Sequence, residues 1–274
     1  MASHSACVLL AGAVGAPSDL TLVVAQWARP LPAWTSRFNT CLYQRRNASA
    51  TAYVPNRGNE AGIYLRYIRD HYHALSPITV FVQDDAKEDV GGRLACLRRD
   101  LDWGWTPVSG GMDVASPGAW SGQWWESPLG RPCTWHLAAD FGQAARLEAH
   151  GNGTLRYFGG AYFAATAQQL RLHAWSAYEA AYRRMVEVPG CADRYDWGEG
   201  GNAFLQAVPR PNNSFVGERN NWYLSCVFEF SHHWLLGGQR LDMAPWEEAK
   251  WCRRFRHASD CPGSPCGGDA SAFQ

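Results

Sequence analysis

The chain has no net charge: Lys and Arg total 25 and so do Asp and Glu, over 274 residues. Without an overall positive field nothing recruits nucleic acid or an anionic membrane surface, so neither is an expected partner. Charged residues make up only 18% of the chain and hydrophobic ones 46%, a balance that excludes disorder and supports a large core. No apolar run has bilayer-spanning length. The stretch Ala6 to Ala16 is too short, and Pro17-Ser18-Asp19 divides it from the next apolar run, so no transmembrane span is expected. The middle of the chain has no Pro/Ser-rich linker, charge run or internal repeat, which points to one domain. Gly-x-Ser-x-Gly, His-Glu-x-x-His and P-loop motifs are also missing, which sets aside the chemistries they serve. Gly198-Glu-Gly-Gly-Asn-Ala203 fits a loose dinucleotide fingerprint, but no strand precedes it.

Ala6 to Ala16 has the length of a signal-peptide core, and Ala-Val-Gly-Ala before Pro17 offers the small residues of a cleavage site, although the preceding residues carry no Lys or Arg. Residues 1–19 are therefore read as a signal peptide, 20–256 as the domain and 257–274 as a Cys-containing tail. Asn47-Ala-Ser49, Asn152-Gly-Thr154 and Asn212-Asn-Ser214 are glycosylation acceptors. If Cys7 leaves with the leader, eight cysteines remain, an even number that permits four disulfides of unassigned connectivity. The expected location is secreted or lumenal, in the endoplasmic reticulum or Golgi. Cys252, Cys261 and Cys266, with His257 among them, lack a fourth ligand at zinc-site spacing and are read as stapling the tail.

Leu20 to Ala25 is β-branched and continuous, a buried strand ended by Pro30 and Pro32. A short strand is expected at Cys41 to Gln44. Pro55-Asn-Arg-Gly-Asn59 is turn chemistry, and a helix from about Asn59 to His73 follows, with Ile63, Tyr64, Tyr67, Ile68 and Tyr72 on its inner face. Ile78 to Gln83 is the clearest strand and runs straight into Asp84-Asp85. Strand, helix and strand in this order predict a βαβ unit of a parallel sheet, with sites at the carboxyl ends of strands. Further expectations are a helix around Gly91 to Asp102, a long Trp/Gly/Pro-rich loop from Gly104 to Pro132, a strand at Tyr157 to Ala165, and helices at Gln168 to Met185 and Asn221 to Leu236. The fold class is α/β: a single mixed, mainly parallel sheet flanked by helices.

Asp84 and Asp85, following a buried strand, supply hard oxygen ligands for Mn2+ or Mg2+; the alternative is a solvated turn. Glu229 and His233 stand four apart and share a helical face, as a catalytic acid–base pair or a buried hydrogen bond. Asn56, Arg57, Gly58 and Glu60 form either a phosphate or carboxylate site at a helix N-terminus or a capped turn. His136 and Asp140 meet only if that segment is helical. Six of the 14 Trp cluster, Trp103, Trp105, Trp120, Trp124, Trp125 and Trp135, either stacking on sugar rings, with Trp124 and Trp125 the expected substrate-binding pair, or filling a loop-rich core.

Three blocks resemble the fungal, algal and plant family of domain of unknown function 3431. The first is Val54-Pro-Asn-Arg-Gly-Asn-Glu-Ala61, continued by Tyr64-Leu-Arg-Tyr-Ile68, Tyr72, Leu75 and Thr79-Val-Phe-Val-Gln83. It matches an Asn-x-Gly-x-Glu turn, a Tyr-Leu-x-Tyr-Ile helix and a Phe-ending strand. The second is Ala161-Tyr-Phe-Ala-Ala165 with Gln168, Arg171, His173 and Tyr178, where Ala165-Thr-Ala167 replaces a usual Val-Ser-Arg. The third is Phe228-Glu-Phe-Ser-His-His-Trp-Leu-Leu236, with its Trp and His in altered order. The late Phe strand, helix and Glu- and Trp-bearing helix are also similar to GT-A-type glycosyltransferases. That resemblance implies a metal-dependent transferase, with a nucleotide sugar as donor and a glycan as acceptor. The competing expectation is a noncatalytic carbohydrate-binding or surface glycoprotein.

Overall fold

The computed structural model describes residues 7–10, 12, 16–97, 103–108, 130–150, 162–187, 227–228 and 231–237. Among the described residues six strands form one sheet: β1 Val8–Leu10, β2 Leu20–Gln26, β3 Asn39–Gln44, β4 Ile78–Gln83, β5 Trp105–Pro107 and β6 Phe163–Thr166, in the spatial order β1-β3-β2-β4-β6-β5. The helices are α1 Glu60–His71, α2 Glu88–Cys96, α3 Gly130–Asp140, α4 Ala144–His150, α5 Ala167–Leu170, α6 Trp175–Val186 and α7 His232–Leu235.

The sheet is parallel only at its centre. β2 pairs in parallel with β3 and β4, whereas β1 on β3, β6 on β4 and β5 on β6 are antiparallel. The βαβ unit expected between Leu20 and Gln83 takes in an additional parallel strand: α1 connects β3 to β4 and crosses over β2, which pairs with both. Both faces of the centre are covered, and β2 and β4 are largely apolar and buried because neither side meets water. Val23, Ala25, Cys41, Tyr43, Phe81 and Phe163 face α1, α3 and α6. Leu22, Val24, Val80 and Val82 face the other way, onto Trp34 and the α2 residues Val90 and Leu94.

Several boundaries depart from the sequence reading. α2 begins at Glu88 rather than near Gly91, because Glu88 and Asp89 supply a favourable first turn, and it ends where Leu97 turns extended. The expected loop contains a strand at Trp105–Pro107, which pairs with β6 in spite of its proline because it lies at the sheet edge. The same loop ends inside α3, which brings His136 and Asp140 into one helix. The expected strand at 157–165 is described from Phe163. The helix expected over 168–185 is two helices: Thr166 caps α5 by accepting from the Gln169 amide at 3.1 Å, and extended Ala174 starts α6. Of the helix expected to close the fold, His232–Leu235 is described.

Cys7 is disulfide-bonded to Cys41, and Cys96 and Cys133 are disulfide-bonded as well. The first bridge fastens exposed β1 to β3, so cleavage after residue 19 would remove β1 and break it. Gly62 lets α1 approach its surroundings: a Cβ there would lie 2.7 Å from the Arg57 carbonyl oxygen and 2.8 Å from Val186. Helix propensity alone favours Gly62→Ala by about 1 kcal/mol. The contact reverses the sign, and the substitution is expected to destabilise by about 1–3 kcal/mol in urea titration.

Burial raises the pKa of Tyr43, Tyr64, Tyr67, Tyr162 and Tyr178 above the ordinary tyrosine value. Each then stays protonated in the fold at a pH where the unfolded chain ionises, so its stabilisation is complete below about pH 10 and is lost as pH rises further. Phenolate absorption near 295 nm is expected to appear cooperatively with loss of circular dichroism above that pH. Gradual ionisation with the fold intact would refute this.

Candidate functional site

The connections leaving β2 and β3 depart to opposite faces of the sheet: β2 leads to the Trp34 turn and β3 leads to α1. In open α/β sheets such a divergence between adjacent parallel strands marks their carboxyl ends as the place where ligands bind. Gln26 and Gln44 close the ends of β2 and β3, with Gln44 Nε2 donating to Gln26 Oε1 at 3.1 Å. Beyond them stand Trp27 and Arg45, the guanidinium 5.7 Å from the indole centroid.

Asp84 ends β4 and is buried. Its Oδ2 accepts three backbone N–H groups from the turn after β2, those of Trp27 at 2.8 Å, Ala28 at 3.0 Å and Arg29 at 2.8 Å. A carboxylate oxygen with three donors is saturated. Asp85 points outward and accepts from the Tyr162 hydroxyl at 2.5 Å. Tyr162 precedes β6 and reaches this edge because β6 runs antiparallel to β4, with Phe163 opposite Phe81.

The turn entering α1 completes the group. Gly58 and Asn59 are consecutive positive-φ residues, at 69° and 49°. Asn59 tolerates that conformation better than most residues but makes no side-chain cap. The reversal delivers Glu60 to Arg45: Glu60 Oε2 lies 3.7 Å from Arg45 Nη1, both residues buried. One helical turn later Tyr64 is fully buried, its ring 5.0 Å from Phe81 and 5.9 Å from Phe163. Its hydroxyl has no hydrogen-bond partner, and neither do the buried Asn56 Oδ1 and Arg45 Nε. Burial is the largest cause of the raised Tyr64 pKa, with Glu60, Tyr162 and Asp85 adding to it and Arg45 opposing. The phenol therefore shares its surroundings with four polar groups and donates to none of them.

Of the residues singled out from sequence, Asn56, Arg57, Gly58, Glu60, Asp84 and Asp85 lie in the two loops that frame this edge. Asp84 and Asp85 diverge: one is tied into the β2 turn and the other faces out. Glu229, Trp124 and Trp125 lie outside the described residues, as does the side chain of His233. Trp103 and Trp105 are core residues, whereas Trp135 is 39% exposed. His136 and Asp140 share α3, and Asp140 accepts a two-pronged pair from Arg184 at 2.6 and 2.7 Å. Arg45, Tyr64 and Tyr162 were not assigned to a site from sequence. Arg45 carries a usable signal, a cation directly after a strand; Tyr64 reads there as core.

Residues 22–90 match the model of the family described as a protein of unknown function, DUF3431. The matched segment runs from β2 into α2 and contains most of this edge, which supports the resemblance seen in the first sequence block. No curated protein and no solved structure matches the chain.

Replacing Asp84 by Ala orphans three N–H groups, so Asp84→Ala is expected to lower stability by about 3 kcal/mol at unchanged denaturant slope. Asp85→Ala, at an exposed position, is expected to cost under about 1 kcal/mol. Equal losses would contradict their division into a fastening and an outward-facing carboxylate.

Proposed function

We propose that the chain is a metal-dependent glycosyltransferase-like protein, binding a nucleotide sugar at the carboxyl edge of β3, β2 and β4 and passing the sugar to a glycan acceptor. The observation that carries the reading is the buried, unpartnered Tyr64 hydroxyl within the electrostatic reach of Glu60, Tyr162, Arg45 and Asp85, with Asn56 Oδ1 and Arg45 Nε at the same edge also lacking partners. Buried polar groups are normally hydrogen-bonded, and those left open at a cleft suit the hydroxyls or phosphate oxygens of a ligand. The late Phe163 strand followed by helices is the feature by which the sequence resembles GT-A-type enzymes.

Asp85 is the carboxylate placed to hold Mn2+ or Mg2+. A cation of this type needs one or two protein carboxylates and draws its other oxygens from substrate phosphates. When bound, it would neutralise charge on the departing pyrophosphate. Tyr162, donating to Asp85, orients that carboxylate, while Arg45, held between Trp27 and Glu60, and Asn56 offer donor and acceptor groups to the ligand. Lumenal residence fits the four disulfide-bonded cysteines, Cys7, Cys41, Cys96 and Cys133. It also fits Asn47, which lies exposed in a turn within its acceptor triplet.

The test is a thermal-shift panel of nucleoside diphosphates and nucleotide sugars with and without Mn2+. A ligand at about 100 times its Kd is expected to stabilise by about 2.7 kcal/mol. Asp85→Asn is expected to remove the metal-dependent part. Tyr64→Phe is expected to weaken binding while leaving the unliganded melting temperature unchanged or higher, because it deletes an orphaned hydroxyl. No shift with any nucleotide, in folded protein, would overturn the reading.

A further inference from the structure

A second constellation lies away from the carboxyl edge, where the end of α1 meets the β1 side of the sheet. Cys7, just before β1, Cys41 on β3 and His71 at the last position of α1 bring one ligand atom each within 4.8 Å of one another. Both sulfurs belong to buried residues, at 4% and 0% exposure. The His71 ring is stacked on Tyr67 with centroids 4.5 Å apart, which fixes its plane. Its Nε2 is buried with no hydrogen-bond partner. An imidazole that brings a ring nitrogen within 4.8 Å of two sulfurs, and whose Nε2 is withheld from water and protein alike, has the donor chemistry of a metal ligand. The bridge between Cys7 and Cys41 occupies the sulfurs in the oxidised state.

We propose that, when the Cys7–Cys41 bridge is reduced, Cys7, Cys41 and His71 form a thiolate–imidazole site for a borderline-soft divalent cation of the zinc type. A dithiol delivers two electrons and two protons, breaking the S–S bond to give two thiols and becoming a disulfide itself. The cation then displaces those two protons to solvent and binds both thiolates, with the imidazole third and water fourth. Two sulfur donors and one nitrogen select zinc over magnesium or calcium, which require oxygen. Two thiolates on one tetrahedral zinc stand about 3.8 Å apart, given Zn–S bonds of about 2.3 Å. The bridged sulfurs must separate to reach that spacing, and β1 can yield because it is a three-residue, solvent-exposed edge strand that pairs, among the described residues, with β3 alone. The same three residues would then fasten β1 in either redox state, by a covalent bond in an oxidising compartment and by a metal in a reducing one. This site shares no residue with the proposed nucleotide-sugar site.

The experiment uses the full chain, reduced anaerobically with a phosphine, with Cys7 and Cys41 shown to be thiols by alkylation and peptide mass mapping. Co2+ is titrated in as the probe and followed by its thiolate charge-transfer and tetrahedral d–d absorption. The wild-type chain is expected to bind one more Co2+ than Cys7→Ser, and the oxidised chain is expected to lack that ion. His71→Gln is expected to weaken the site at least about tenfold, since even residues behind a ligand cost that much. Circular dichroism checks each variant, and if Cys7→Ser misfolds, His71→Gln decides. The proposal is overturned if wild type and His71→Gln titrate alike, which would assign any bound cobalt to the other cysteines. It is also overturned if the bridge resists reduction while the chain stays folded.

Discussion

One carboxylate oxygen ties together the edge on which everything else is built. Asp84 Oδ2 gathers the N–H groups of Trp27, Ala28 and Arg29, so the turn leaving β2 is held against the end of β4. Three amides in succession cannot all point at one oxygen unless the backbone curls around it, and that curl sets the direction in which the chain departs toward Trp34. It also places the Trp27 ring where Arg45 can lie over it. The position of the guanidinium, and through it of Glu60, therefore depends on a residue two strands away in sequence.

Around this fastening the chemistry is divided between faces and depths. The sheet centre is apolar on both sides, and the tilted and edge-to-face aromatic cluster of Tyr64, Phe81 and Phe163 carries a phenol up to the polar rim, where it finds no partner. The antiparallel insertion of β6 brings Tyr162 to the same rim and joins it to Asp85. Parallel strands alone could not do this, because the start of a parallel neighbour would lie at the opposite end of the sheet.

The central elements were legible because their signals are local. Leu20 to Ala25 and Ile78 to Gln83 are continuous apolar runs, and the helix between them shows its inner face at helical spacing. The fifth strand was hidden because Trp105–Pro107 is short, contains proline and owes its state to pairing with β6. The break between α5 and α6 was hidden because Ala174 carries no breaker signal of its own. Of the candidate site, the turn at Asn56 to Glu60 and the Asp84-Asp85 pair were recognisable as polar residues flanking strands and a helix. The different fates of the two aspartates were not, since they hinge on which one faces three amides donated from residues more than 50 positions earlier.

By itself the sequence determined that this is a mixed α/β chain with a large core, a βαβ pattern between Leu20 and Gln83 and polar residues at the carboxyl ends of its strands. Periodicity, turn residues and strand propensity act within a few positions and need no folded partner. Only the tertiary structure decided that Asp84 fastens while Asp85 faces out, that Arg45, Tyr64 and Tyr162 belong to the same edge, and that Cys7 and Cys41 lie beside His71. Those assignments depend on strand order, strand direction and burial, which bring together residues from separate elements through packing that no local pattern encodes.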